Sequence, residues 1–311
     1  MTEDQLVAEI RALGDGLGNR RLIVGIGDDA AVWQPSRSHR SVISTDMLIE
    51  GVHFRRDLMS LEDAGWRSMA ANLSDLAAMG ARPVLATVAI GVPADNAEHD
   101  VTAIYRGIAA CAERYDIAIA GGDLSRSAAI TIAITVIGEV RPSNLKLRSG
   151  AHPGDVLAVT GELGAARAGL LGEVEGLEAF RLPQPRIAEG LFLAASANVR
   201  AMMDCSDGLS TDLARLCVAS GCGAALESVP VASAARAAAA RHDEDAETFA
   251  LRGGEDFELL LAVRASAFPY LASRFEKRFK RPLLRIGVLQ NAPGIQWRQQ
   301  SLTASGWDHF Q

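Results

Sequence analysis

The run AITIAITVIGEV at residues 129–140 is the feature that most constrains the fold of this chain. An apolar residue stands at every second position from Ile130 to Val136, with threonine or alanine between. This period of two is typical of a β-strand that packs one face on a hydrophobic core. The run therefore predicts a sheet in the first half of the chain.

Helical and strand-like segments follow one another in both halves of the chain. The predicted helices cover residues 3–13, 61–79, 98–115, 164–172, 186–197, 209–219 and 267–279. The other predicted strands cover residues 41–46, 83–91, 117–120, 156–160, 201–203, 257–263 and 283–288. Because strands and helices come in separate runs, the pattern favours an α/β fold of the α+β type over one doubly wound sheet.

The length of 311 residues suggests two domains at about 150 residues each. Turn-forming residues are concentrated at 141–154, where RPSN is followed by SGAHPG. We therefore predict one domain in residues 1–145 and a second in residues 146–311.

Charge and composition exclude several classes of protein. The net charge is −7, and no stripe of lysine and arginine with interleaved aromatic residues is present, so nucleic acid is not expected as a partner. No apolar run approaches the roughly 20 residues of a membrane-spanning helix, so no membrane association is expected. The acidic start MTEDQ does not resemble a secretory signal, which favours the cytoplasm. The four cysteines form no CxxC pair and are expected to be buried, reduced thiols.

Acidic residues stand beside glycine or hydroxyl residues at six places. These are GIGDD (25–29), STD (44–46), NLSD (72–75), GGD (121–123), DCSDG (204–208) and GGED (253–256). A single such pair is more often a turn or a helix N-cap. Six of them, mostly after predicted strands, favour carboxylates that bind Mg²⁺ together with a polyphosphate, while the glycines let backbone N–H groups approach phosphate oxygens.

The phosphate-binding lysine motifs are absent. There is no GxxxxGK[ST] sequence, and Lys146 is the one lysine before residue 277. Metal ions and arginines would then have to bind the phosphates, with Arg148 as the candidate and a surface arginine as the alternative. His53 could act as a general base or, more simply, as a hydrogen-bonding group. The aromatic segment GWDHF (306–310) could pack on the core or stack on a ligand ring.

Taken together, these motifs resemble the thiamine-monophosphate kinase family. The matching segments are GIGDDAAV (25–32), STDMLIEGVHF (44–54), NLSDLAAMGA (72–81), GGD (121–123), LRSGAHPGD (147–155), DCSDGLSTDL (204–213), GGEDFEL (253–259) and GWDHF (306–310). The resemblance implies the two-domain fold of aminoimidazole ribonucleotide synthetase and its ATP-binding relatives. It also implies a homodimer whose core is formed by the N-terminal sheets. The implied reaction is ATP plus thiamine monophosphate giving ADP plus thiamine diphosphate, the last step of thiamine diphosphate biosynthesis.

The resemblance assigns roles to individual residues. Several Mg²⁺ ions would be held, directly or through water, by Asp29, Ser44, Thr45, Asp46, Asp75, Asp123, Asp204 and Asp207. ATP would contact Gly122, Asp123, Arg148 and Ser206, and thiamine monophosphate would contact His53, Glu255 and Trp307. The resemblance leaves the role of Asp28 open. No acid–base catalyst is expected, because the attacking phosphate oxygen is already anionic near neutral pH and the transfer would be direct and in line.

Two alternatives stay open from the sequence. The chain could be a non-catalytic regulator that binds Mg-nucleotide, or another ATP-using member of the same superfamily. Formation of ADP that depends on thiamine monophosphate distinguishes a kinase from a regulator.

Overall fold

The computed structural model describes residues 3–14, 21–26 and 30–306. The chain forms two compact units, one of Met1–Leu76 and Ala81–Pro142 and the other of Ala77–Gly80 and Ser143–Gln311. Both contain helices and sheets, which agrees with the predicted α/β class. Within these described ranges, no helix combines the length and the apolar character needed to cross a membrane.

The first unit contains a four-stranded sheet and its helices. Its elements are α1 (Glu3–Gly14), β1 (Leu22–Val24), β2 (Val32–Trp33), β3 (Arg40–Ile49), α2 (Leu61–Ala78), β4 (Arg82–Val92), α3 (Ala97–Arg114), β5 (Ala118–Arg126) and β6 (Thr131–Val140). The strand order is β3-β6-β4-β5, and β1 pairs with β2 in a separate ribbon. Strands β4 and β5 are parallel, whereas β6 is antiparallel to β3 and to β4.

Strand β6 confirms the alternation that the sequence predicts. Ile132, Ile134 and Val136 are 0% exposed, whereas the residues between them are partly exposed. Neighbours directly across a ladder share a face, and the same division extends to β4, whereas on β3 Leu48 is the one buried residue of that face. The sheet therefore has one face that is packed on β6 and β4 but exposed at Asp46 of β3, and one more open face.

Helices α2 and α3 approach each other through glycine. A Cβ atom on Gly65 would lie 2.0 Å from the carbonyl oxygen of Ile104. A Cβ atom on Gly107 would lie 1.8 Å from the carbonyl oxygen of Glu62. Any larger residue at either position would push the helices apart. This close contact fixes α2, which carries part of the candidate site.

The second unit is built on a seven-stranded sheet. Its elements are β7 (Val156–Val159), α4 (Ala165–Leu170), α5 (Leu177–Arg181), α6 (Ile187–Ala194), β8 (Val199–Cys205), α7 (Leu209–Ser220), β9 (Gly223–Leu226), α8 (Ser233–Arg241), α9 (Ala246–Arg252), β10 (Glu258–Val263), α10 (Phe268–Phe279), β11 (Leu284–Gln290), β12 (Ile295–Trp297) and β13 (Gln300–Leu302). The strand order is β13-β12-β9-β11-β7-β10-β8. Strands β12 and β9 are parallel, and the other neighbours are antiparallel.

Strand β10 is buried along its whole length, including the charged residue that begins it. Glu258 is 4% exposed and accepts hydrogen bonds from Thr160 Oγ1 at 2.5 Å and Arg186 Nη2 at 2.6 Å. Arg281 Nη1 donates to the same carboxylate at 3.2 Å, and its Nη2 pairs with Glu189 at 2.8 Å. The buried charge of Glu258 is thus compensated by two arginines, as a buried ion requires.

Two predicted strands differ from the observed ones in ways that affect the site. The strand predicted at 117–120 continues as β5 to Arg126, so the GGD sequence lies inside a strand and not after one. The strand predicted at 41–46 spans Arg40–Ile49, which places Ser44–Asp46 in its middle. All four cysteines are buried and free.

Candidate active site

The first group of candidate residues lies where β3 meets α2. Ser44 Oγ donates to Asp75 Oδ2 at 2.5 Å. The backbone N–H of Asp46 donates to Asn72 Oδ1 at 3.0 Å, and Asn72 Nδ2 donates to the carbonyl oxygen of Ser68 at 2.9 Å. Ser44 and Asp46 are two positions apart and share one face of the strand. The structure therefore brings Ser44, Asp46 and Asp75 together.

Thr45 lies on the opposite face of β3 from Ser44 and Asp46. Its hydroxyl donates to the carbonyl oxygen of Ile134 at 3.0 Å and accepts from Thr135 Oγ1 at 3.1 Å. The structure thus does not bring the Thr45 side chain to the two residues beside it in the sequence.

Gly122 and Asp123 lie on β5, at the other edge of the sheet, and both are exposed. A Cβ atom at position 122 would lie 1.8 Å from the carbonyl oxygen of Val88, so this position requires glycine. The pairing register aligns four residues in one row across the sheet: Asp46, Ile134, Val88 and Gly122. At about 4.8 Å per strand, the backbones of β3 and β5 are roughly 14 Å apart.

His53 is held by the turn that follows β3. The backbone N–H of Ile49 donates to His53 Nδ1 at 3.0 Å. Because Nδ1 accepts this bond, the neutral ring carries its proton on Nε2. The geometry therefore supports His53 as a hydrogen-bond donor through Nε2, which was the simpler of its two interpretations.

The second group lies in the loop between β8 and α7. The backbone N–H groups of Ser206 and Asp207 both donate to Asp212 Oδ2, each at 3.1 Å. Arg215 pairs with the Asp207 carboxylate and also donates to Asp212 Oδ1 at 3.2 Å. Gly208 ends the loop with a φ of 103°, which favours glycine. Asp212 and Arg215, in the first turns of α7, thus fix the loop.

The GGED segment is attached to the same loop. The backbone N–H of Glu255 donates to the carbonyl oxygen of Ser206 at 2.7 Å. The backbone N–H of Phe257 donates to the carbonyl oxygen of Cys205 at 2.9 Å, and Cys205 follows the buried Asp204. Glu255 and Phe257 have φ values of 65° and 50°, a left-handed conformation that is uncommon outside glycine. Such strained residues are concentrated at functional sites.

Asp256 connects the GGED segment to α4. Its carboxylate accepts the backbone N–H of Gly164 at 2.7 Å and that of Ala166 at 3.4 Å. Although part of the Asp256 residue is exposed, its carboxylate is buried, and this burial raises the pKa of Asp256 to about 7.

Stability should therefore depend on pH through Asp256. Its pKa is higher in the folded protein than the ordinary 3.8, so the folded state binds the proton more tightly. This stabilising contribution is complete below about pH 4 and is lost as the pH rises through about 7. Asp256→Asn keeps an oxygen for the Gly164 N–H but does not titrate. Between pH 4.5 and 8, we expect the free energy of unfolding of the variant to rise relative to that of wild type in denaturant titrations. Parallel pH profiles for the two proteins would contradict this prediction.

Arg148 lies on an anchored segment with its side chain exposed. Its carbonyl oxygen accepts from Ser220 Oγ at 2.9 Å. Two residues earlier, Lys146 Nζ donates to the carbonyl oxygens of Ser196 and Val199 at 3.0 and 2.9 Å. Burial lowers the pKa of Lys146. The early lysine therefore bonds the backbone, which agrees with the expectation that arginine and not lysine contacts phosphate.

The end of the described chain lies against the start of α7. The backbone N–H of Gly306 donates to Thr211 Oγ1 at 2.9 Å, and that of Ser305 donates to Ser210 Oγ at 3.3 Å. The segment that leads to residue 307 is thus attached beside the Ser206–Asp207 loop. The predicted metal ligand Asp29, the predicted substrate contact Trp307 and the unassigned Asp28 lie outside the described residues.

The donor atoms of the two groups suit magnesium. Among the side chains that the structure describes, no three or more His, Cys, Asp or Glu are grouped as a metal site. Mg²⁺ is usually held by one or two carboxylates together with substrate phosphates, and not by a cage of protein ligands. Asp46 and Asp75 with the Ser44 hydroxyl offer such a set, and Asp204 lies at the end of β8, three positions before Asp207 in the following loop. The residues present therefore fit Mg²⁺ that is bound together with phosphate.

Sequence reasoning missed the residues that support the ligands. Asn72 and Asp212 lie inside the quoted motifs NLSDLAAMGA and DCSDGLSTDL, but no role was predicted for them. An acidic residue in the first turn of a helix, such as Asp212, is an N-terminal helix signal. That signal marks where the helix begins and does not indicate from which backbone N–H groups the carboxylate accepts hydrogen bonds.

Two family models match the chain. AIR synthase related protein, N-terminal domain, matches residues 27–140, and AIR synthase related protein, C-terminal domain, matches residues 152–289. The thiamine-monophosphate kinase of Rhodopirellula baltica is 39% identical over 289 residues, which cover 90% of this chain and 87% of the relative.

Solved structures match over nearly the whole chain. The crystal structure of thiamine-monophosphate kinase from Stenotrophomonas maltophilia K279a has a TM-score of 0.85 and 34% identity, with 97% of this chain and 98% of that chain covered. AaThiL complexed with AMPPCP and TMP has a TM-score of 0.79 and 28% identity, with 100% and 99% covered. The similarity therefore extends through both compact units.

Proposed function

The chain belongs to the thiamine-monophosphate kinase family of AIR synthase related proteins, and from this premise we propose that it phosphorylates thiamine monophosphate with ATP, giving thiamine diphosphate and ADP. The family and the two-domain fold that the motifs predicted are confirmed. The observation that carries the proposal is the match, along the whole chain, to a structure with both an ATP analogue and thiamine monophosphate bound.

The ATP contacts are proposed as predicted: Gly122, Asp123, Arg148 and Ser206. Gly122 is exposed on the edge strand β5, although the space that a side chain would take there is filled by the Val88 carbonyl oxygen. The guanidinium of Arg148 is exposed on a fixed segment and carries the positive charge that a phosphate needs. Ser206 lies in a loop whose backbone is held by two hydrogen bonds.

The proposed Mg²⁺ ligands are Asp29, Ser44, Thr45, Asp46, Asp75, Asp123, Asp204 and Asp207. Ser44, Asp46 and Asp75 have the strongest support, because they lie together, whereas the Thr45 hydroxyl bonds the sheet instead. The separation of roughly 14 Å between β3 and β5 is too large for one ion to contact both Asp46 and Asp123 directly at Mg–O distances of about 2.1 Å. This spacing supports more than one ion.

Magnesium, when bound, would offset the repulsion between the phosphate groups of the two substrates. This repulsion is about 4 kcal/mol for each pair of unit charges 4 Å apart at an effective dielectric constant of 20. Magnesium would also keep the phosphate donor and acceptor in line.

Thiamine monophosphate would contact His53, Glu255 and Trp307. The Nε2–H of His53 can donate to the substrate, and the carboxylate of Glu255 can pair with the cationic thiazolium ring.

Direct transfer needs no acid or base, since the acceptor oxygen is already anionic. Incubation with γ-labelled ATP alone should leave no label on the denatured protein. Stable labelling of the protein would indicate a phosphoenzyme and contradict direct transfer.

A homodimer built on the N-terminal sheet is supported by exposed apolar side chains on β3. Ile43 is 65% exposed and Met47 is 51% exposed, on the open face of the sheet. Burial of such a face against a second copy would remove apolar area from water. Sedimentation should show a dimer for wild type and a monomer for Ile43→Asp with Met47→Asp. A monomeric wild-type protein would contradict the proposal.

The decisive test of the function is product formation by the purified protein with Mg-ATP, with and without thiamine monophosphate. We expect ADP and thiamine diphosphate in equal amounts only when both substrates are present. Binding of Mg-ATP without product would favour the non-catalytic regulator. A cytoplasmic location stays a prediction.

A further inference from the structure

We propose that Asp212 is a positioning residue that holds the loop of residues 206–208, between β8 and α7, in the shape that presents Ser206 and Asp207. The inference rests on the proposed function, in which Ser206 contacts ATP and Asp207 binds Mg²⁺. Asp212 itself is 0% exposed, so it acts through the loop and not by touching a ligand.

The first link between Asp212 and the loop is through the backbone. One carboxylate oxygen, Oδ2, accepts the N–H groups of both Ser206 and Asp207 at 3.1 Å. Two consecutive N–H groups that converge on one buried oxygen fix the peptide planes on both sides of Ser206. The direction in which the Ser206 and Asp207 side chains leave the loop is thereby fixed as well.

The second link is through Arg215. The other carboxylate oxygen, Oδ1, accepts from Arg215 Nη1 at 3.2 Å, and the same guanidinium pairs with the Asp207 carboxylate. Asp212 thus orients Arg215, and Arg215 orients the side chain of Asp207. The orientation of both the backbone and the side chain of Asp207, the proposed metal ligand, therefore depends on the buried carboxylate of Asp212.

A carboxylate at position 212 is not the residue that folding alone would favour. The Asp212 side chain is fully buried, so an ionised carboxylate there loses its contact with water. A neutral amide of the same size would avoid the cost of burying the charge while keeping an oxygen for the two N–H groups. A locally unfavourable residue that supports a candidate site indicates a functional reason for its presence.

The test compares Asp212→Asn with Asp212→Ala. Asp212→Asn keeps the backbone link but loses the charge that orients Arg215, whereas Asp212→Ala loses both links. For Asp212→Asn we expect an unchanged or higher midpoint of thermal unfolding, a roughly tenfold weaker binding of Mg-AMPPCP by calorimetry, and a kcat about tenfold lower. For Asp212→Ala the losses in binding and kcat should be larger, about 100-fold. The midpoint of thermal unfolding separates a positioning role from a structural one. If Asp212 only stabilised the fold, its replacement would lower this midpoint and leave the affinity of the folded protein for Mg-AMPPCP unchanged.

Asp245→Asn is the matched control. Asp245 also combines an accepted backbone N–H, that of Thr248 at 2.9 Å, with an arginine partner, Arg298 at 3.3 Å. It caps α9, and neither of its partners has a proposed role, so Mg-AMPPCP affinity and kcat should stay at wild-type values.

Wild-type affinity and kcat in Asp212→Asn and in the folded fraction of Asp212→Ala would overturn the proposal. If Asp212→Ala does not fold, Asp212→Asn decides alone. A wild-type protein that binds Mg-AMPPCP but forms no product from ATP and thiamine monophosphate would overturn the proposed function instead. The affinity comparison among the variants would still test the positioning role in that case.

Discussion

Asp46→Asn should lower kcat for ADP formation by about 100-fold or more, the loss that follows removal of one preorganised electrostatic group from an active site. The amide keeps the size of the side chain and removes its negative charge. The backbone N–H of residue 46 still donates to Asn72, so β3 stays attached to α2. Initial rates with both substrates, measured over a range of Mg²⁺ concentrations, check this expectation.

Asp57→Asn provides the control for the Asp46 variant. Asp57 belongs to the same unit, its side chain is 60% exposed, and it pairs with Arg55 at the surface at 2.5 Å. The Asp57→Asn substitution removes the same negative charge at a position without a proposed role, so kcat should not change. If Asp46→Asn retained wild-type rates at all Mg²⁺ concentrations, Asp46 could not be an essential metal ligand.

Glu258→Ala should lower the free energy of unfolding by about 3–5 kcal/mol, the usual cost of removing one partner from a buried ion pair. The truncation leaves Arg186 and Arg281 without the carboxylate they share, and it leaves the Thr160 hydroxyl without its acceptor. Denaturant titrations of wild type and variant, with the midpoint and slope compared, measure the loss.

Glu227→Ala is the matched control for Glu258→Ala, because Glu227 also pairs with an arginine of the second unit. Its partner Arg285 lies at 2.8 Å, but the Glu227 side chain is 48% exposed. An exposed pair is worth about 0–1 kcal/mol, so this variant should stay close to wild type. Equal losses for the two variants would show that burial of Glu258 adds nothing to its ion pairs.

The sequence predicts the fold well where an element is long and periodic. Strand β6 and helices α2 and α3 were expected within a few residues of their observed bounds, because their apolar residues repeat over many positions. Strands β9, β12 and β13 have only three or four residues and show no period that a sequence could reveal. The extension of β5 through Gly121 and Gly122 was missed, because paired glycines usually indicate a turn.

The sequence also identifies many residues of the candidate site but not their partners. Ser44 and Asp75 are 31 positions apart, and only the folded sheet and helix bring them to 2.5 Å. Residue type suggested that Thr45 would join its neighbours, whereas the alternation of side chains along a strand directs it to the other face. The hydrogen bond that decides which nitrogen of His53 carries the proton comes from backbone geometry, which no motif encodes.

The pairing of β3 with β6 has a consequence for the chain as it is synthesised. Thr45 contacts Thr135, which is 90 positions further along. At about 5–20 residues per second, translation leaves β3 without this partner for roughly 5–20 s. During that time VISTDMLI is an unpaired apolar strand of the kind that aggregates, and Asp46 is its one charged residue between Arg40 and Glu50. A charge at this place opposes self-association. We therefore expect Asp46→Asn to lower the yield of folded protein as well as kcat.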